Sequence, residues 1–282
     1  MTLPAIRPVS SFLPPATPWR VVAGLLVCAA LAACAQSPQG TPSPSRPGVE
    51  PITESDEPPE RRRARIRLEL AASYFEQGQT TVALDEIKRS LASDPNYGQA
   101  YVLRGLVYMR LKDVALADES FRRALQINPR DADAQHSYGL FACEQGRFAQ
   151  ANELFNQALS SPVYGGRGRT LLAMGVCQIR AGQLAEAESS LARAYEFDTG
   201  NPIAAYNLAS LRFRRGDAQG AQFIIRRVNN SELANAETLW LGIKVERQLG
   251  NLAAVSQLGQ QLGRRFADSP QWAAYQRVAF NE

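Results

Sequence analysis

Few residues in this sequence could carry out chemistry. The chain contains one histidine, His136, and four cysteines. A single histidine excludes metal sites built from several imidazoles and leaves one candidate for a histidine-based catalytic triad. The sequence contains no C-x-x-C pair, no G-x-S-x-G, no phosphate-binding P-loop and no H-E-x-x-H. We therefore expect a protein that is not an enzyme and that uses no metal or cofactor.

The net charge gives no reason to expect a nucleic-acid ligand. The 282 residues carry a formal net charge of +4 at pH 7. Arg7 and Arg20 lie in the first 33 residues, which contain no acidic residue, so the remaining chain is nearer to neutral. The sequence also lacks a basic stripe with interleaved aromatic residues. We expect a mixed, solvated surface and no nucleic acid among the partners.

Cys34 ends a segment with the layout of an export signal. The apolar run Val21–Ala33 has thirteen residues, too few to cross a membrane comfortably but suited to the core of a signal peptide. It closes with Leu31-Ala32-Ala33-Cys34, which resembles the lipobox of bacterial lipoproteins. The resemblance implies a signal peptide over residues 1–33 and acylation of Cys34. The alternative is an ordinary cleavage site beside an incidental cysteine.

The residues after Cys34 indicate a tether. Ala35 stands where many inner-membrane lipoproteins have aspartate, so the resemblance implies a lipid anchor in the outer membrane, facing the periplasm. Residues 34–59 contain seven prolines together with Ser, Thr and Gly. Such a composition cannot bury an apolar core. We predict a disordered linker over this range.

Residues 98–131 contain two amphipathic segments, with a break near Leu111-Lys112-Asp113. Positions 4, 8, 11, 20, 24, 27 and 32 of this unit are occupied by Tyr101, Gly105, Tyr108, Ala117, Phe121, Ala124 and Pro129. This alternation of large and small residues is the tetratricopeptide signature, in which two antiparallel helices pack closely.

The same period extends over most of the chain. Matching positions recur in units of about 64–97, 98–131, 132–167, 168–201, 202–235 and 236–269. The pattern predicts an all-α fold, a right-handed superhelical solenoid of six tetratricopeptide repeats across residues 60–269. Residues 270–282 add an amphipathic stretch, which we interpret as a C-terminal capping helix over the open end of the solenoid.

The first helix of each repeat is expected to line a concave face. By resemblance to tetratricopeptide arrays, positions 2, 5, 9, 12 and 13 of each unit point into it. The apolar residues that we place there are Leu68, Phe75, Val102, Leu106, Met109, Leu140, Val176, Ile179, Tyr206 and Phe213. The charged residues beside them, all at position 13, are Arg110, Glu144, Arg180 and Arg214.

An apolar floor with a charged rim fits an amphipathic helix or an extended segment of another protein. The alternative is a superhelix closed enough to bury several of these residues as core. His136 falls on the same side, and we place it in this partner-binding groove; a satisfied polar residue is the other interpretation.

Cys143 and Cys177 lie on the first helices of consecutive repeats. Neighbouring helix axes are about 8–10 Å apart, which can bring two cysteine Cα atoms within the roughly 4.4–6.8 Å that a disulfide requires. An exported protein meets an oxidising compartment, where such a bond persists. We therefore predict a disulfide between Cys143 and Cys177, with two buried thiols as the alternative.

Four segments of the chain resemble the PilF/PilW family of type IV pilus pilotins. They are Phe141–Phe148, Gly175–Cys177, Glu237–Gly242 and Arg265–Pro270. The lipobox, the six repeats and the paired cysteines also fit this family. The resemblance covers about residues 64–270. The long Pro-rich N-terminal extension departs from the family pattern.

The resemblance implies a lipoprotein that binds the type IV pilus secretin and promotes its localisation and multimerisation in the outer membrane. It also implies support for pilus biogenesis, pilus stability and twitching motility, with other pilus components as further partners. Two other classes stay open. One is another envelope scaffold, serving outer-membrane protein assembly or peptidoglycan enzymes. The other is a pilus-stability factor that contacts pilin and leaves the secretin alone.

Overall fold

The computed structural model describes residues 56–278. The predicted signal peptide (1–33), Cys34 and nearly all of the predicted linker (34–59) lie outside the described residues. Residues 279–282, at the end of the predicted capping segment, also lie outside them.

Thirteen helices and no strand occur in the described range. They are α1 (Pro59–Glu76), α2 (Thr80–Ser93), α3 (Gly98–Arg110), α4 (Val114–Ile127), α5 (Ala132–Glu144), α6 (Phe148–Ser160), α7 (Arg167–Arg180), α8 (Leu184–Phe197), α9 (Pro202–Arg214), α10 (Ala218–Asn229), α11 (Ala236–Gln248), α12 (Leu252–Arg265) and α13 (Pro270–Gln276). The first twelve form six hairpins, and each hairpin packs on the next along the chain. The prediction of an all-α tetratricopeptide solenoid is confirmed.

Side-chain sizes are complementary where the two helices of a hairpin touch. A Cβ atom added to Gly105 on α3 would lie 2.7 Å from the ring of Phe121 on α4. A Cβ atom added to Gly139 on α5 would lie 2.6 Å from the ring of Phe155 on α6. Both rings are fully buried. Because only glycine leaves room for these rings, the glycines of the repeat pattern set the spacing of the two helices.

The turn inside each hairpin needs a left-handed residue at the same repeat position. Five of the six hairpins have glycine there, with φ between 72° and 93° in Gly78, Gly146, Gly182, Gly216 and Gly250. The second hairpin has Lys112 instead, with φ at 61°. Left-handed backbone costs a residue with a Cβ about 1–2 kcal/mol, so this turn is strained relative to the other five.

Two carboxylates, one partly buried and one buried, link neighbouring hairpins. Asp118 on α4 accepts hydrogen bonds from Tyr138 Oη and Arg147 Nη1, both at 3.0 Å. Glu246 on α11 is 1% exposed and pairs with Arg226 of α10 at 2.6 Å. Burial acts to raise the pKa of each carboxyl, but these hydrogen bonds and arginine charges outweigh it, and both pKa values are lowered.

The last hairpin reverses the size pattern of the others. Ile243 of α11 is fully buried at the repeat position where earlier hairpins have a small residue, and its counterpart on α12 is Gly259. The ring of Tyr275 on α13 occupies the space beside Gly259, and the indole of Trp272 covers Gly263. Helix α13 therefore packs on a glycine face of α12 and covers it, as a capping helix does.

Among the helices of residues 56–278, none combines the length and the apolarity that a membrane span requires.

Candidate functional site

The first helices of the repeats present a continuous row of partly exposed apolar side chains. All ten of the apolar residues expected on the concave face are intermediate in exposure, neither fully buried nor fully exposed. We call them the apolar row: Leu68, Phe75, Val102, Leu106, Met109, Leu140, Val176, Ile179, Tyr206 and Phe213. Most of them pack with one side against the buried core clusters of the hairpins. The row is therefore held in place by the core while part of its surface remains available.

The charged residues at position 13 lie beside this row, and all four are exposed. Arg110 reaches back to the preceding repeat, where its guanidinium lies 3.9 Å from the ring centroid of Phe75 and donates a 2.7 Å hydrogen bond to the Phe75 carbonyl. Arg180 likewise reaches back to Cys143, with Nη1 3.9 Å from the sulfur. Position 13 thus borders the first helices of two consecutive repeats, and Arg110 covers part of Phe75.

The structure corrects the placement of His136 in the groove. The imidazole is 4% exposed, and its Nδ1 lies 2.8 Å from Thr170 Oγ1 on α7. Thr170 in turn bonds Tyr164 Oη at 2.9 Å, and Arg169 donates to that same oxygen at 3.3 Å. His136 is a satisfied buried residue between repeats three and four, the other interpretation that the sequence left open.

The polar side chains around His136 satisfy one another. The guanidinium of Arg169 can only donate, so Tyr164 Oη accepts from it, and the hydroxyls of Tyr164 and Thr170 can each donate or accept. Thr170 Oγ1 can therefore satisfy Nδ1 of either neutral tautomer of His136. Burial and then the charge of Arg169 lower the pKa of His136 to about 4, and Asp133 offsets this in part. The imidazole is neutral at physiological pH.

The segment between α6 and α7 explains why His136 is buried. Tyr164 lies in the connection 161–166, which accommodates the two-residue insertion between repeats three and four, and its ring is 7% exposed. Glycine at position 166 leaves room for the Tyr164 side chain, because a Cβ atom there would lie 2.5 Å from Tyr164 Oη. The Gly-rich segment accommodates the insertion and covers the hydrogen-bonded side chains between repeats three and four.

Cys143 and Cys177 form a disulfide between α5 and α7, with Cα atoms 5.9 Å apart. Both residues are buried, at 6% and 1% exposure. The bond occupies the position-12 site of repeat three, where repeats two and four have Met109 and Ile179. It covalently joins repeats three and four beside the apolar row.

Two apolar residues of this face were missed by the sequence analysis. Ile203, at position 2 of repeat five, is 56% exposed, and Leu172, at position 5 of repeat four, is partly buried. The same positional rule points to both. Repeat six contributes Lys244, whose Nζ lies 5.6 Å from the ring centroid of Trp240. Trp240 itself is 8% exposed and packs in a core cluster with Leu239 and Ile243.

The accessible side chains of this face are the apolar row and its charged border. Within residues 56–278 no group of three or more His, Cys, Asp or Glu side chains could hold a metal ion. His136 contacts a threonine hydroxyl that is itself buried, so neither group meets solvent.

The chain matches known protein families over most of its repeats. One tetratricopeptide-repeat model matches residues 68–132 and 139–202, and a second matches residues 178–241. The curated type IV pilus assembly protein PilF of Pseudomonas aeruginosa is 24% identical over 209 residues, covering 74% of this chain and 83% of PilF.

Solved structures agree with this match. The structure of Pseudomonas aeruginosa PilF superimposes with a TM-score of 0.70 at 23% identity, over 78% of this chain and 99% of that one. The crystal structure of PilW, described as a widely conserved type IV pilus biogenesis factor, has a TM-score of 0.67 and 30% identity. That match covers 75% of this chain and 97% of PilW. The chain therefore belongs to the PilF/PilW family of tetratricopeptide-repeat proteins of type IV pilus biogenesis.

Proposed function

We propose that this protein is a pilotin: an outer-membrane lipoprotein that binds the type IV pilus secretin and promotes its localisation and multimerisation in the outer membrane. The observation that carries the proposal is the apolar row, a preformed and accessible strip on a scaffold of the PilF/PilW family. Family membership supports the choice of a pilus component as the partner.

The dimensions of the row suit a linear segment of the partner. Five first helices spaced about 8–10 Å apart give a strip on the order of 40 Å long. An extended segment of roughly 12 residues, or a helix of roughly 27, spans that length. Because the row is packed against the core on one side, binding requires little ordering of the scaffold itself.

The lipid at Cys34 supplies the address in this proposal. Several acyl chains hold a protein at a membrane much more firmly than one, at about 0.8 kcal/mol per buried methylene. A Pro-rich linker of this length can extend about 80 Å at roughly 3 Å per residue. The solenoid can then hold a secretin segment while its anchor selects the membrane in which the multimer forms.

The test is the amount of heat- and detergent-resistant secretin multimer in outer-membrane fractions of wild-type cells, a deletion strain and a Cys34→Ala strain. We expect the deletion to lose multimers and leave secretin monomer in the inner membrane, and Cys34→Ala to mislocalise the multimers. Normal multimers in all three strains would refute the pilotin role. Normal twitching in the deletion strain would then favour another envelope scaffold, and lost twitching a pilus-stability factor.

The groove itself is tested by substitution. We expect Leu106→Gln with Leu140→Gln to reduce co-purification of the secretin, because both side chains belong to the apolar row. The matched control is Val163→Gln with Leu252→Gln, two apolar residues that are 90% and 71% exposed outside the row. Equal capture by both double variants, with thermal unfolding unchanged, would count against the groove.

A further inference from the structure

Positions 2 and 13 of the repeats form the two edges of the concave face. These edges differ in whether their charged side chains form ion pairs. At position 2, Asp133 and Arg169 neutralise one another across repeats three and four at 2.6 Å. Arg65, at the same position of repeat one, pairs with Glu57 and Glu69. In repeat six this edge carries an exposed acid, Glu237, so the contrast between the two edges is confined to repeats three to five.

In repeats three to five, the charged side chains at position 13 remain accessible to a partner. Glu144 and Arg214 are exposed and make no ion pair or side-chain hydrogen bond within the described residues. Arg180 is exposed and contacts the Cys143 sulfur, with no acidic partner in the described range. Arg110, at the equivalent position of repeat two, is engaged with Phe75. The accessible charges therefore run from the negative Glu144 of repeat three, through Arg180 at the joint of repeats three and four, to the positive Arg214 of repeat five.

We infer that this charge order orients the segment bound in the groove, with its basic residues over repeat three and its acidic residues over repeats four and five. The inference rests on the proposed function and names the chemistry of the partner: an amphipathic segment with separated basic and acidic ends. Complementary charges of this kind select register and orientation, while the apolar contacts supply most of the affinity.

The spacing of the row predicts the spacing of charges in the partner. Glu144 and Arg214 are two repeats apart, which places them on the order of 20 Å from one another. An extended segment covers that distance in roughly 6 residues, and a helix in roughly 13. Ile179, Tyr206 and Phe213 provide the apolar contacts between and beside the two arginines.

The orientation can be read directly by crosslinking in cells that express the full-length lipoprotein. A photoreactive benzophenone amino acid replaces Leu140 or Ser210, which occupy position 9 of repeats three and five. Each lies one helical turn before its rim charge, Glu144 or Arg214. Mass spectrometry of the crosslinked secretin then identifies the peptide captured at each end of the groove.

We expect both positions to capture one contiguous secretin segment, with basic residues in the peptide crosslinked from position 140 and acidic residues in that from position 210. The reverse charge order, or the same charge at both ends, would overturn the orientation while leaving the groove intact. Absence of secretin crosslinks from both positions would refute groove binding itself, and this inference with it.

A charge-reversal series provides a second measurement. Arg180→Glu with Arg214→Glu is expected to weaken secretin capture about tenfold at low salt, with a smaller effect at high salt. The matched control is Arg193→Glu with Arg227→Glu, which makes the same change of net charge at exposed arginines on the second helices of the same two repeats. Equal effects of the two double variants would refute a specific role for the rim.

Discussion

The clearest physical prediction concerns the single histidine. His136 is 4% exposed, and burial lowers its pKa to about 4 in the folded protein, from about 6.5 in the unfolded chain. Below pH 6.5 the unfolded chain therefore binds a proton that the folded protein excludes. Folding stability is fully present above pH 6.5 and is lost progressively as the pH falls from 6.5 to 4.

The size of this effect follows from the two pKa values. At pH 5 the difference in proton binding lowers the free energy of unfolding by about 2 kcal/mol relative to neutral pH, and the full loss near pH 4 approaches about 3 kcal/mol. Asp118 and Glu246 act in the same direction, because their pKa values are lowered in the fold. Their contribution is lost at more acidic pH, below the ordinary carboxyl pKa of about 4.

The measurement is an NMR titration of the imidazole in protein without an affinity tag, since a chain with one histidine gives one set of imidazole signals. Urea unfolding at pH 7.5 and pH 5 then measures the stability. His136→Asn is the control, because its amide oxygen can accept the Thr170 hydroxyl and does not titrate. A folded-state pKa near 6.5, or the same loss of stability at pH 5 in His136→Asn, would refute this reasoning.

Three further predictions concern the hairpins and the joint between repeats three and four, each measured by urea or thermal unfolding. Lys112→Gly should stabilise the protein by about 0.5–1 kcal/mol, because it removes the one left-handed non-glycine among the six hairpin turns; unchanged or lower stability would show that the turn is not strained. Gly139→Ala should destabilise by about 1–3 kcal/mol, because its Cβ would lie 2.6 Å from a buried ring, whereas Gly165→Ala, with no atom within 4 Å, should be nearly neutral. Replacing Cys143 and Cys177 together by alanine should cost about 3–4 kcal/mol in the chain-entropy model for a bond spanning 34 residues, and equal stability of the double variant and the oxidised protein would contradict that.

Periodicity predicted the helix pairs and the apolar row because both depend on one residue type recurring at one position. The size match of Gly105 with Phe121, and the partial exposure of Leu106 and Leu140, follow from the repeat alone. The same positional rule places Ile203 on this face, although Ile203 was not among the predicted residues.

Features that depend on departures from the period could not be predicted in this way. His136 occupies a groove position in the repeat numbering, but it is covered by Thr170 of the next repeat, which is bonded in turn by Tyr164 from the longer connection before α7. Arg110 occupies a rim position, but its side chain is long enough to reach the Phe75 ring of the previous repeat. Both outcomes depend on which side chains of a neighbouring repeat come into contact in the folded protein. The positions within a single repeat do not contain that information.

The reversed packing of the sixth hairpin has a consequence for assembly. A solenoid built from identical units has no intrinsic length, and its open end can accept the first helix of another molecule, which leads to head-to-tail filaments. Here the glycine face of α12 is already filled by Tyr275 and Trp272. A second molecule can therefore stack on this end only by displacing α13, because the rings of Tyr275 and Trp272 already occupy the glycine face that an added helix would need.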